Sequence, residues 1–198
     1  AVGVEDECAW TPPVSLAAQI PNATSGWGTI LCDTYVNGNL VSTNTCAFQL
    51  TVPASVVPSI SSVSIAEATS GVADRFGGYV RTRSKLSVSI TAAGAQGSSI
   101  SSYRTSIDGV TYSGSSFTTN ALNTAGNLTM TVTVTDSRGR TASTARTVTV
   151  LDYSPPSLSQ FAAERCNADG TAAQTDGTKV RISAKASGSS VGGKNTLA

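Results

Sequence analysis

The sequence predicts an all-β chain, and three observations carry that expectation. Apolar and polar residues alternate with period two in one segment after another, no window gathers helix formers at helical spacing, and short strand patterns recur at a fixed interval along the 198 residues. Alternation by two gives a strand one apolar and one polar face, whereas an amphipathic helix needs apolar spacings of three and four. Ser, Thr, Gly and β-branched residues interrupt every candidate helix, and they favour turns or extended backbone.

Nearest the N-terminus, Ile30, Cys32, Thr34 and Val36 alternate up to Asn37-Gly38, and Cys46, Phe48, Leu50 and Val52 alternate on the way back. A two-residue turn would pair Cys32 with Thr43 and put the odd positions of the second strand on the apolar face, against its even apolar set. A three-residue loop, Asn37 to Asn39, pairs Cys32 with Asn44 and restores one apolar face. Cys46 then lies diagonal to Cys32, with Cα atoms roughly 7 to 8 Å apart, beyond disulfide reach. Both thiols are expected unbonded to each other and placed in the core as small hydrophobes.

Further on, Leu86, Val88 and Ile90 share one face of a strand while Ser87, Ser89 and Thr91 face outward. Asp108-Gly109 between Ile107 and Val110 suits the positive φ angles of a tight primed turn, giving a hairpin of about residues 99–107 and 110–113. Leu128, Met130, Val132 and Val134 alternate with Thr up to Asp136-Ser137-Arg138-Gly139-Arg140. The chain then returns through Val148 and Val150, a second hairpin with those residues on its inner faces.

Pro58-Ser59-Ile60-Ser61-Ser62-Val63 is echoed by Pro156-Ser157-Leu158-Ser159-Gln160-Phe161, an offset of 98 residues, and Ser84 to Ile90 by Thr178 to Ala184, an offset of 94. A period of that length built from about seven short strands has the dimensions of an immunoglobulin-like sandwich. The expected organisation is therefore tandem immunoglobulin-like β-sandwich modules. Residues 1–52 are the C-terminal part of one, 54–152 a complete one and 155–198 the N-terminal part of a third, so the chain reads as an excerpt of a longer array. Pro53, Pro58 and Pro155-Pro156 mark the joints, expected to be extended and stiff.

Composition removes several functions. The chain has no histidine, so Ser-His-Asp and Cys-His nucleophile systems and histidine metal sites cannot be built from it. A net charge of +1 with 13% charged residues supplies no field for a phosphate backbone. No apolar run reaches membrane-spanning length and the N-terminus lacks a signal-peptide pattern. The four cysteines show no metal-ligand spacing, and Asp169 with Asp176 lacks the DxDxDG order of a calcium loop. No enzyme and no cofactor are expected.

Two groups of residues are candidates for contact. Arg75, Tyr79, Arg81, Arg83 and Lys85 gather cations and an aromatic ring in a weakly charged chain, a composition that stacks on sugar rings and pairs with anionic wall polymers. Against this, Arg81, Arg83 and Lys85 alternating outward on a strand guard a sheet edge. Trp10 and Trp27 either anchor a subunit or ligand contact or complete the core of the first partial module.

The stretch from Trp10-Thr11-Pro12-Pro13-Val14 to Ile20-Pro21-Asn22-Ala23-Thr24-Ser25-Gly26 resembles a family of uncharacterised minor structural proteins of long-tailed siphoviruses of Gram-positive bacteria. The likeness continues through Gly28 to Tyr35, Val52 to Pro58, Phe161 to Thr171, Asp176-Gly177-Thr178 and Gly192-Gly193-Lys194-Asn195. The resemblance implies a component of the virion, in the phage tail at its tip or in a fibre, with no catalytic residues to carry over. The partners expected on this reading are other tail subunits, a second and third copy in a trimeric fibre, and, through the basic and aromatic cluster, host cell-wall polysaccharide; composition argues against nucleic acid and a membrane span. A carbohydrate-binding host-attachment module and the stalk of a bacterial surface adhesin are the rival readings.

Overall fold

The computed structural model describes residues 10–171 and 175–195, and within them the chain is all-β. Twelve strands carry most of the structure among the described residues. They are β1 (Ser25–Val36), β2 (Asn39–Thr51), β3 (Ser59–Glu67), β4 (Tyr79–Val80), β5 (Leu86–Ala93), β6 (Ile100–Ile107), β7 (Val110–Ser113), β8 (Ser116–Thr118), β9 (Gly126–Asp136), β10 (Thr141–Leu151), β11 (Ser157–Cys166) and β12 (Lys179–Ser187). Two short helical turns interrupt them, a 3-10 helix at Val14–Gln19 and α1 at Val72–Phe76. Neither has an amphipathic stripe that periodicity would reveal.

Four sheets result: the ribbon β1-β2, the ribbon β11-β12, a three-stranded sheet β3-β5-β8, and a five-stranded sheet β4-β10-β9-β6-β7. β4 joins β10 in parallel through Val150 opposite Tyr79. Leu86, Val88 and Ile90 of β5 are buried, as are Met130, Val132 and Val134 of β9 and Val148 and Val150 of β10. The intervening positions of β5 are exposed, so period two translates into burial as the sequence predicts. The turn between β6 and β7 has Asp108 at φ 50° and Gly109 at φ 74°, the primed geometry that an Asp-Gly pair favours.

The chain divides into two compact units, Ala1–Ser64 with Val88–Phe117 and Thr131–Ala145, and Ile65–Ser87 with Thr118–Met130 and Arg146–Ala198. In the first, Ala17, Val52 and Val56 form a small buried cluster against Ile20 and Ala95. In the second, Val80, Leu86, Leu122 and Met130 are at or below 1% exposure. Their backbones are tied by Thr82 N–H to Leu122 C=O at 2.7 Å and Thr119 N–H to Leu86 C=O at 2.9 Å.

Two expectations about the first hairpin are corrected. Cys32 does pair with Asn44, but Val36 pairs with Asn39, so the connection is the two-residue turn Asn37-Gly38. The extra residue sits in β2 as a bulge at Val41, where the register shifts beside Thr34/Tyr35. A bulge and a longer loop change strand parity equally, so arithmetic on faces does not separate them. Cys32 and Cys46 are free, as expected, but exposed, because no described residue covers the ribbon face they occupy. Ile30 of that face is 53% exposed.

The proline joint before β3 is also not extended. Val56 N–H bonds Pro53 C=O at 3.0 Å and Val57 N–H bonds Ser55 C=O at 3.0 Å, a compact turn that buries Val56.

Candidate interaction surfaces

Trp10 and Trp27 lie on one concave surface, a groove of about 510 Å³ at the base of β1-β2. Its walls are the 3-10 helix and the residue that follows it, through Leu16 and Ile20, and the strand ends, through Phe48 and Leu50. Glycine shapes it. A Cβ on Gly28 would stand 2.6 Å from Phe48 Cζ, and one on Gly26 would stand 2.9 Å from Ile20 Cγ2. Gly28 is directly opposite Phe48 in the ladder, so the phenyl ring lies over the bare backbone, as aromatic side chains do across from strand glycines. Both tryptophans are exposed, Trp27 at 76%, so no core formed by the described residues takes them in.

The floor under this groove is fixed by a turn that sequence patterns mark only as generic. Asp136 is fully buried, and its Oδ1 accepts the backbone N–H groups of Arg138 at 3.0 Å and Arg140 at 2.9 Å while Oδ2 accepts the Ser98 hydroxyl at 3.0 Å. The turn so formed aims two arginines at backbone. Arg138 donates to the carbonyls of Ala17 and Ile20 in the 3-10 helix region and of Ala95 and Gln96 after β5. Arg140 donates to Val52, Pro53 and Val56. A guanidinium suits this role because its five donors form a fixed planar fork. The signal available in sequence was Asp136 followed by arginines at two and four residues. No pattern indicated which carbonyls they would meet.

The basic cluster is arranged differently from either sequence reading. Arg81 to Arg83 form a turn and not a strand, so these cations do not alternate along a sheet edge. Arg81 pairs with Asp152 at 3.1 Å and donates to Tyr153 C=O at 2.9 Å. Arg83 lies 5.0 Å from the centre of the Tyr153 ring and donates to its hydroxyl at 3.2 Å. Lys85 donates its backbone N–H to Glu67 Oε1. Tyr79 is half-buried, and its hydroxyl points at Ile65 C=O, 3.5 Å away. Burial first, and the Glu67 carboxylate second, raise its pKa above the usual 10.0. Arg75 lies in α1, exposed. Two of the four cations are thus engaged within the protein, leaving Arg75 and the Lys85 side chain as the outward-facing charges of the group.

Asp169 accepts the Thr171 N–H at 2.9 Å and hydroxyl at 2.7 Å, and these bonds lower its pKa from 3.8. Among the described residues no group of three His, Cys, Asp or Glu side chains is placed to hold a metal ion. Of the four cysteines, Cys8 lies outside the described residues. No helix among them is long and apolar enough to cross a membrane.

Residues 1–196 match a family described as siphovirus proteins of unknown function (DUF859). The chain belongs to this family. No curated protein and no solved structure matches it. In this siphovirus protein the match runs from before the Trp10 groove through β12, so both contact candidates fall inside it.

Proposed function

We propose that this siphovirus protein is a structural component of the phage tail, at the tail tip or in a fibre, made of immunoglobulin-like spacer and contact modules and acting without catalysis. The observation that carries the reading is the strand order of residues 54–152. One sheet runs β3-β5-β8 and the other β4-β10-β9-β6-β7, with the apolar positions of β5, β9 and β10 buried. Two sheets with this count of short strands and alternating inner faces, with β4 the parallel addition at one edge, support an immunoglobulin-like sandwich. The family favours a virion over the stalk of a bacterial adhesin. Outward Ser and Thr keep such modules soluble without a field of charge, and a chain of them forms a spacer. Gold-labelled antibody against the protein should decorate the distal tail of purified virions. Virions that carry none of it, by labelling and by mass spectrometry of tails, would overturn the proposal.

A second reading, contact with host cell-wall polysaccharide, is favoured by the groove under Trp10 and Trp27, since indole faces stack on sugar rings. Quenching or shift of tryptophan fluorescence by host wall polysaccharide, lost in Trp27→Ala, is the expected result. An unchanged spectrum at saturating polysaccharide counts against it.

A further inference from the structure

Residues 152–156 join β10 to β11, and little of that connector is free to turn. Pro155 and Pro156 fix their own φ angles, and a proline also restricts the residue before it, here Ser154. Rotation at the joint therefore falls to Asp152 and Tyr153, and two arginines hold both. Arg81 donates its backbone N–H to Leu151 C=O at 2.9 Å. Its guanidinium pairs with Asp152 and sets two donors on Tyr153 C=O, at 2.9 and 3.3 Å. Arg83 adds a grip on the Tyr153 ring and hydroxyl.

The segment after β12 holds the connector from a second side. Ser154 N–H bonds Ser189 Oγ at 2.9 Å, and the Ser189 hydroxyl donates back to Ser154 C=O at 3.1 Å. The Asn195 side-chain amide donates to Ser189 C=O at 3.0 Å and its backbone N–H to Ser190 C=O at 2.9 Å, which closes the segment into a compact loop. Within it Val191 is 2% exposed and sits at φ 46°, a conformation that a β-branched residue keeps only where its surroundings impose it. The next residue, Gly192, lies against the end of β10. A Cβ there would stand 3.9 Å from both methyl groups of Leu151.

The connector ahead of the sandwich is gripped by the same kind of group. Arg140 donates to the carbonyls of Val52, Pro53 and Val56. At each joint a guanidinium from residues 54–152 thus takes up connector carbonyls. Its planar fork fixes several backbone groups at once. A single exposed contact of this type is weak, so the hold comes from their number.

We propose that the β10-β11 joint is a lock and not a hinge, with the connector clamped between Arg81 and Arg83 on one side and the Ser189 loop on the other. A locked joint passes bending and tension from one module to the next. The lock rests on the spacer reading of the modules and deepens it, by making the spacer stiff.

The test is backbone amide relaxation by NMR, with amide exchange, on the 198-residue chain and on two variants, Arg81→Ala/Arg83→Ala and Ser189→Ala. In the wild-type chain the Tyr153 and Ser154 amides should give order parameters of about 0.85, the value of rigid backbone. Strands β10, β11 and β12 should report one common tumbling time. In the double variant the two order parameters should fall below about 0.6, and β11-β12 should tumble faster than β10. Ser189→Ala, with both arginines in place, should speed exchange of the Ser154 amide. A wild-type chain whose β11-β12 tumbles independently overturns the proposal, whatever the variants do. So does a folded double variant whose joint stays rigid. If the double variant does not fold, Ser189→Ala decides, and unchanged exchange at Ser154 overturns the lock. Exchange in β5 and β9 separates this failure from that of the underlying reading. Slow exchange there supports the sandwich whether or not the joint is rigid, and fast exchange removes the module itself.

Discussion

The Arg138 Nη2 donates to the carbonyl of Ala17 at 2.7 Å, joining residues 121 positions apart. The same guanidinium reaches Ile20, Ala95 and Gln96, so one side chain satisfies backbone from two separate segments. Arg138 is 7% exposed, and water cannot easily replace what it supplies.

Arg138→Ala is therefore expected to destabilise the first unit by about 2 to 4 kcal/mol, since it removes charged hydrogen bonds and strands buried carbonyls. Arg138→Lys should recover only part, because an ammonium lacks the planar fork. Urea denaturation followed by tryptophan fluorescence reads both. A loss for Arg138→Ala no larger than that of an exposed Arg104→Ala control in the same unit would show that the carbonyls find other donors.

Two glycines test how closely backbone approaches backbone. A Cβ on Gly94 would meet Ser98 O at 1.9 Å, a backbone atom held by the turn. A Cβ on Gly28 meets the tip of the Phe48 ring, a half-buried side chain able to swing. Gly94→Ala should cost about 3 kcal/mol or more and Gly28→Ala about 1 kcal/mol, as overpacking does against rigid and yielding neighbours. A double-mutant cycle checks the second: in a Phe48→Ala background the cost of Gly28→Ala should vanish. Persistence of the cost there would assign it to the strand backbone and not to the ring.

Strain sits inside the basic cluster. Thr82 has φ 63°, the left-handed region that a β-branched residue avoids, and is held there by its N–H bond to Leu122 C=O and by Arg81 N–H to Leu151 C=O. Glycine relieves roughly 1 to 2 kcal/mol of steric cost and loses roughly 0.5 to 1 kcal/mol to unfolded-chain entropy. Thr82→Gly should thus stabilise by about 0.5 to 1 kcal/mol, the two terms opposing. Asp152→Asn, which breaks the Arg81 ion pair, should cost under about 1 kcal/mol, and less in high salt, because Asp152 is 68% exposed. Thermal unfolding in low and high salt measures both. Thr82→Gly with a lowered melting temperature would contradict the strain.

The parts of this fold that were legible are those set by strand parity. Leu86, Val88, Ile90, Met130, Val132 and Val134 announce their burial because each alternates with Ser or Thr. Asp108-Gly109 announces a turn because few other pairs accept two positive φ values. What parity cannot report is whether a partner sheet exists. Ile30 and Cys32 alternate as convincingly as Val88 and Ile90, yet are exposed, since burial depends on residues elsewhere. The contact surfaces were legible in composition only. Trp10 and Trp27 stand out as the two tryptophans, but the groove depends on Gly28 leaving room for Phe48, twenty positions away. The Arg81 and Arg83 partners, Asp152 and Tyr153, lie about seventy residues on, and no local pattern links them.

The last expectation concerns alkaline pH. Tyr79 is held above the usual 10.0 by burial and then by Glu67. Glu67 is bound through Oε1 to the N–H groups of Thr69 and Lys85, while its buried Oε2 has no hydrogen-bond partner among the described residues. The raised value means that the folded state favours the neutral phenol. Its contribution to stability is complete below the unfolded tyrosine pKa near 10 and is lost as pH rises through the higher folded value. Unfolding midpoints measured between about pH 8 and 11 should therefore fall above pH 10. Tyr79→Phe should flatten part of that fall, because a ring without a hydroxyl cannot ionise. Glu67→Gln keeps the amide oxygen as acceptor for Thr69 and Lys85 and removes the charge, so it should flatten the fall by a smaller amount. That ordering follows from burial outweighing the carboxylate as the cause of the shift. A fall unchanged in both variants would move the alkaline transition to other groups.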